Sequence, residues 1–168
     1  MREKTVLRLL VVLTLSIILA NCSSAKDSSK FAAAAGPGGM AEVELGRLAV
    51  QKAADPSVKE FGQRMISDHT LANAELKAVA KKKNIQLPSD LTSDQKSLMD
   101  KLSKLSGGEF DKEYMSAMVK DHEEDVKEFQ TQANEGTDPD VKAFAGKTLP
   151  TLQAHLQMAR DVAKKVGA

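Results

Sequence analysis

The chain has 168 residues, a formal net charge of +1 at neutral pH, 4% aromatic residues and a single cysteine. Near-neutral charge without a basic stripe excludes nucleic-acid binding of the usual electrostatic kind. One cysteine excludes an intrachain disulfide, so the fold must be held by packing.

At the N-terminus, Arg2, Lys4 and Arg8 precede an apolar run over residues 9–20. The run is too short to span a bilayer comfortably and reads as the core of a secretion signal. It ends in Leu19-Ala20-Asn21-Cys22, which resembles a bacterial lipobox. Residues 1–22 are therefore expected to be a lipoprotein-type signal peptide, with Cys22 becoming the acylated first residue of the mature chain and inserting its lipid in a membrane. Ser23 after the cysteine resembles the enterobacterial sorting pattern for a periplasm-facing outer-membrane lipoprotein. Residues 23–30 hold four serines and read as a flexible tether. The remainder, residues 31–168, fits one domain with one core.

Apolar residues then recur at the helical period. A short helix is expected over residues 40–54, preceded by a 31–35 segment that Gly36-Pro37-Gly38-Gly39 interrupts. Asp55-Pro56 and Asp138-Pro139 each set a capping carboxylate before a proline in the first turn, which marks helix starts. The expected main helices cover about residues 56–83, 109–134 and 139–166, with a short amphipathic helix over 92–105 in the long connection between the first two of these. Four main helices in two tight hairpins with one long crossover containing a short helix predict an all-α four-helix bundle. Pro150 within the last helix is expected to kink it.

The motif M-x-x-D-H-x5-E-[LF] occurs twice, as Met65, Asp68, His69 and Glu75 and as Met118, Asp121, His122 and Glu128. D-P-x-V-K-x-F also occurs twice, at residues 55–61 and 138–144, and the third histidine, His155, follows the later copy by one helix length. The chain reads as two related helical hairpins. On a helical wheel His122 and His155 lie in the middle of apolar stripes, Glu42 points inward with Leu45, Ala49 and Ala53, and Asp68 and His69 fall on the two flanks of theirs. Buried imidazoles and a buried carboxylate need partners. Two answers fit: a transition metal (Cu, Zn or Fe) held by Glu42, His69, His122 and His155, with Asp68, Asp121 or Asp125 as further ligand or outer acceptor, or a polar core network without metal. Met65 and Met118 stand one turn before a histidine, and thioether with imidazole suits Cu(I). The competing account of these methionines is core filling.

The stretches G-G-M-A-E-V-E-L-G-R-L-A, M-I-S-D-H-T-x-A-N-x-E-L, L-S-G-x-x-F-D-x-x-Y, M-V-K-D-H and K-T-L-P-T-L-Q-x-H-L-x-M-A together resemble a bacterial family of secreted ferritin-like domains of unknown function, often labelled membrane or outer-membrane proteins. The resemblance covers nearly all of residues 31–164. It implies a ferritin-like bundle in the cell envelope and brings no established activity. The chain contains no E-x-x-H, the motif of ferritin-type di-iron sites, so ferroxidase or oxygenase chemistry is not expected. No nucleophilic triad, phosphate-binding loop or haem-attachment motif appears, and a binding protein is expected rather than an enzyme. Two function classes stay open: a metal-binding envelope lipoprotein, and an envelope module that binds a protein partner or supports stress tolerance without metal.

Overall fold

A computed structural model describes the backbone of residues 2–168 and the side chains of residues 27–168. The elements in chain order are α1 (Arg2–Lys52), α2 (Pro56–Lys83), α3 (Ser93–Ser103), α4 (Gly107–Glu135) and α5 (Pro139–Val166), and no strand occurs among the described residues. The side chain of Cys22 lies outside the described residues.

Local signals set the helix ends. Asp55 caps α2 by accepting from the Ser57 amide at 2.8 Å, and Asp138 caps α5 by accepting from Asp140 and Val141 at 3.0 and 3.1 Å. Thr92 and Gln95 form a reciprocal capping box at the start of α3. At the other end of α2, Asn84 takes the left-handed conformation at φ 55° and closes the helix. The connections 53–55 and 136–138 are short, so α1 with α2 and α4 with α5 form the two closely packed antiparallel pairs, and the longer connection carrying α3 joins them.

Two expectations are corrected. Gly36-Pro37-Gly38-Gly39 does not break the first helix; α1 runs through it, and Gly36, Pro37 and Gly39 are buried. A proline inside a helix costs about 3 kcal/mol, and tertiary packing on both sides offsets this. Phe31 lies edge-on to Phe129 with ring centroids 4.9 Å apart, while Ala41 and Leu45 are buried further along the same helix. The glycines admit neighbours: a Cβ on Gly39 would lie 2.0 Å from Oδ1 of Asn73, and one on Gly36 would meet Leu87. The second correction concerns the tether over residues 23–30, which falls inside α1; Ser28 is buried, so the end of that stretch belongs to the packed bundle.

α1 and α2 cross closely. A Cβ on Gly46 would approach the Gly62 carbonyl oxygen to 2.7 Å, and one on Gly62 would lie 2.8 Å from Cβ of Ala49, so only glycine permits this separation. Asp111 of α4, itself buried, accepts from the amides of Ala54 and Asp55 at 3.1 and 2.8 Å and ties the α1–α2 turn to the opposite pair.

The apolar interior is divided in two. One cluster gathers Leu45, Phe61, Met65, Phe110, Tyr114 and Met118; the other gathers Phe31, Leu76, Phe129, Phe144 and Leu152. Along each main helix one buried polar residue falls between residues of the two clusters: Glu42 on α1, His69 on α2, His122 on α4 and His155 on α5. A single polar layer therefore separates two apolar ones.

Candidate metal centre

The layer is built by register. His69 follows Met65 by one turn, His122 follows Met118 by one turn, and His155 follows Leu152 by three residues, so each imidazole extends the same inward stripe as an apolar neighbour. The three rings stand at the corners of a nearly equilateral triangle, with centroids 5.9 Å (His69 to His122), 5.3 Å (His69 to His155) and 5.5 Å (His122 to His155) apart. His69, which the helical wheel placed on a flank, is buried with the other two, because close packing of α2 on α1 brings that flank against Glu42.

Each ring has one nitrogen engaged from outside the triangle. Nδ1 of His122 is 3.0 Å from the carbonyl oxygen of Met118, and a carbonyl can only accept, so the proton is on Nδ1. Nδ1 of His69 lies 2.7 Å from Oε2 of Glu42, and Nε2 of His155 lies 2.9 Å from Oδ2 of Asp68. Donation to these oxygens places the lone pair on the other nitrogen of each ring. Those other nitrogens are Nε2 of His69, Nε2 of His122 and Nδ1 of His155, and all three are buried with no hydrogen-bond partner. One ligand nitrogen from each ring lies within 4.8 Å of the others. Nitrogens sharing an ion at about 2.0–2.1 Å would stand about 3.3–3.6 Å apart, so side-chain shifts on the order of 1 Å close the triangle.

The electrostatics point the same way. Burial pushes all three imidazoles down from 6.5, to about 4 for His69 and His155 and about 3 for His122, so they are neutral at physiological pH with their lone pairs available. Glu42 is 1% exposed, and burial followed by the neighbouring Asp121 carboxylate drives its carboxyl well above the ordinary range. Among the described residues its ion-pair partners are imidazoles and no lysine or arginine. Its Oε1 lies 3.2 Å from Nε2 of His122, yet the alignment is wrong for a hydrogen bond and both atoms remain unpaired. A buried acid faces three neutral bases with no cation among them.

The outer acceptors differ in character. For Asp68, partial burial alone would raise the carboxyl, but hydrogen bonds from His155 and from Arg64, whose Nε is 2.6 Å away, outweigh it and hold the group below its usual value. It is an anion fixed on the rim. Asp121 is raised to about 6, mainly by burial, and Asp125 well above its ordinary value for the same reason with Glu42 next. Asp125 joins Glu42, His69 and Asn73 around a cavity of about 20 Å³ beside the triangle, large enough for one water-sized occupant. A groove of about 560 Å³ between Gly36, Met40, Leu87 and Pro88 lies away from the histidines.

Met65 and Met118 are fully buried in the first apolar cluster, packed with Phe61 and Tyr114. Tyr114 was not singled out in the sequence. Its hydroxyl is buried without a partner, and burial, then the carboxylates of Glu42 and Asp121, hold it protonated as a donor near the layer. Its signal is spacing: Tyr114, Met118 and His122 follow one another at four-residue steps. Asp111 was missed as well, since nothing local marks a carboxylate that caps a distant turn.

Residues 19–162 match the family described as a domain of unknown function, DUF4142. The chain belongs to that family. Among functionally curated proteins none matches it. Solved structures share the fold of this DUF4142 protein. CopM in its Cu(I)-bound form aligns with TM-score 0.67 and 17% identity over 83% of this chain and 96% of that one. CopM in its Cu(II)-bound form aligns with TM-score 0.68 and 16% identity over the same shares. A DUF305 protein from Streptomyces coelicolor, described as secreted, aligns with TM-score 0.65 and 17% identity over 89% of this chain and 94% of that one. At these identities the likeness is one of fold. Among the described residues no helix is long and apolar enough to cross a membrane.

Proposed function

We propose that this DUF4142 protein binds one transition-metal ion between α2, α4 and α5, through Nε2 of His69, Nε2 of His122 and Nδ1 of His155. One observation carries the reading: three buried imidazoles with ring centroids 5.3–5.9 Å apart each keep one nitrogen with nothing to bond, while the other nitrogen of each ring is held by Glu42, the Met118 carbonyl or Asp68. A purely polar core would pair these atoms with one another, since each orphan costs on the order of 1–3 kcal/mol. Outer partners that fix ring tautomer and orientation are how proteins prepare histidine ligands. Among copper, zinc and iron ions, Cu(I) suits the donors best, because neutral imidazoles in an apolar surround, with Met65 and Met118 one turn away, favour a soft monovalent ion. That two copper-bound structures share this fold is consistent with the choice.

The protein acts in the cell envelope in this reading, as a ferritin-like lipoprotein anchored through Cys22 and facing the periplasm from the outer membrane. Binding and retention of metal, rather than di-iron oxidation, is the task, since the chain has no E-x-x-H. The test is metal analysis and Cu(I), Zn(II) and Fe(II) titration of protein purified without a histidine tag. His122→Ala and His155→Ala should each remove most of the bound Cu(I), and the double variant should lose little more, because ligands of one site act as a unit. If the wild type binds none of these ions more tightly than the double variant, the metal function is wrong and the polar-core interaction or stress-tolerance module takes its place.

A further inference from the structure

A second ligand set overlaps the triangle at one residue, His122. An oxygen of Glu42, an oxygen of Asp121 and a ring nitrogen of His122 also lie within 4.8 Å of one another. Within this set, Oε1 of Glu42 and Nε2 of His122 are buried, unpaired and 3.2 Å apart. Asp121 is half-buried on α4, one residue before His122, and no ion pair engages it among the described residues. His122 has one lone pair to offer, because the proton on its Nδ1 is committed to the Met118 carbonyl. It can therefore complete the three-imidazole set or the carboxylate set, and not both at once.

Resting on the reading that this layer takes a metal, we propose that the bundle holds a single ion in one of two adjoining positions, selected by the ion's charge and hardness, with His122 as the ligand common to both. The neutral set of His69, His122 and His155 takes a soft monovalent ion. The set of Glu42, Asp121 and His122 takes a harder divalent ion such as Zn(II). Charge decides between them: two carboxylates neutralise a divalent ion inside the protein, whereas three imidazoles leave its whole charge uncompensated where desolvation is costly. A monovalent ion among the imidazoles leaves half that charge and keeps the donors it prefers.

The two positions separate by double dissociation. Affinities of the untagged protein and of Asp121→Asn, His155→Gln and His122→Gln are measured for Cu(I) and Zn(II) by competition with chromophoric chelators. Asp121→Asn should weaken Zn(II) by about tenfold or more and leave Cu(I) within about threefold; His155→Gln should do the reverse; His122→Gln should weaken both. X-ray absorption on the wild type gives a second reading that needs no variant to fold: three imidazoles around Cu(I), and one imidazole with oxygen donors around Zn(II). If Asp121→Asn and His155→Gln weaken both ions alike, or both ions show the same imidazole number, there is one mixed site and the inference falls while the metal function stands. If the wild type binds neither ion, both fall together.

Discussion

Replacing Glu42 by glutamine should stabilise the metal-free protein while weakening its hold on metal. Glutamine keeps an acceptor for the Nδ1 proton of His69, 2.7 Å from the present Oε2, and offers an amide donor toward the unpaired Nε2 of His122, 3.2 Å from the present Oε1. It also removes a carboxyl that burial and Asp121 have raised well above 4.5. A raised carboxyl favours folding fully only below its unfolded value, and that contribution is lost as pH rises through the folded value, because ionisation inside the bundle goes unanswered. The advantage of Glu42→Gln should therefore be small at pH 4.5 and widen at up to about 1.4 kcal/mol per pH unit until Glu42 ionises in the fold. Urea unfolding of chelator-stripped protein at pH 4.5, 5.5, 6.5 and 7.5 reads this dependence. Saturating metal should narrow the gap, since a ligand at a hundred times its Kd stabilises the protein that binds it by about 2.7 kcal/mol. A difference that does not change with pH, or a wild type more stable than the variant throughout the metal-free series, would refute the reasoning that Glu42 is a buried acid awaiting a cation.

In metal-free protein, NMR titration of the imidazole C2 protons should show His69 and His155 protonating near pH 4 and His122 near pH 3; midpoints near 6.5 would mean the layer is wet. Gly46→Ala should cost about 1–3 kcal/mol in thermal or urea unfolding, because its Cβ would lie 2.7 Å from the Gly62 backbone oxygen, and a loss within about 0.5 kcal/mol would show that α1 and α2 can separate freely. Asp111→Ala leaves the amides of Ala54 and Asp55 without their acceptor and should cost about 1–3 kcal/mol, whereas Asp90→Ala on the exposed connection should change little. Cys22→Ser in the full-length precursor should move the protein from the detergent phase to the aqueous phase in Triton X-114 partitioning; unchanged partitioning would rule out the lipid anchor.

Much of the architecture is present in the local sequence. Asp55-Pro56 and Asp138-Pro139 are capping signals read within one turn, and the starts and ends of α2 and α5 coincide with the ranges they predict. The stripes that carry Glu42, His122 and His155 inward follow from the helical period alone, which is why these residues could be named as candidates before any packing was known. Three features depended on the tertiary structure. The Gly36-Pro37-Gly38-Gly39 stretch has the local chemistry of a break, but Asn73 and Leu87 pack against its glycines, and the cost of a proline within α1 is carried by contacts from elsewhere in the chain. His69 sat on the flank of its stripe, and only the approach of α2 to α1 at Gly46 and Gly62 brings that flank inside against Glu42. The tautomers were the least legible, because the Met118 carbonyl is a local partner of His122 while Glu42 and Asp68 reach His69 and His155 from other helices. Spacing along a helix determines which face a side chain occupies; which atom of that side chain is left without a partner is decided by the three helices around it.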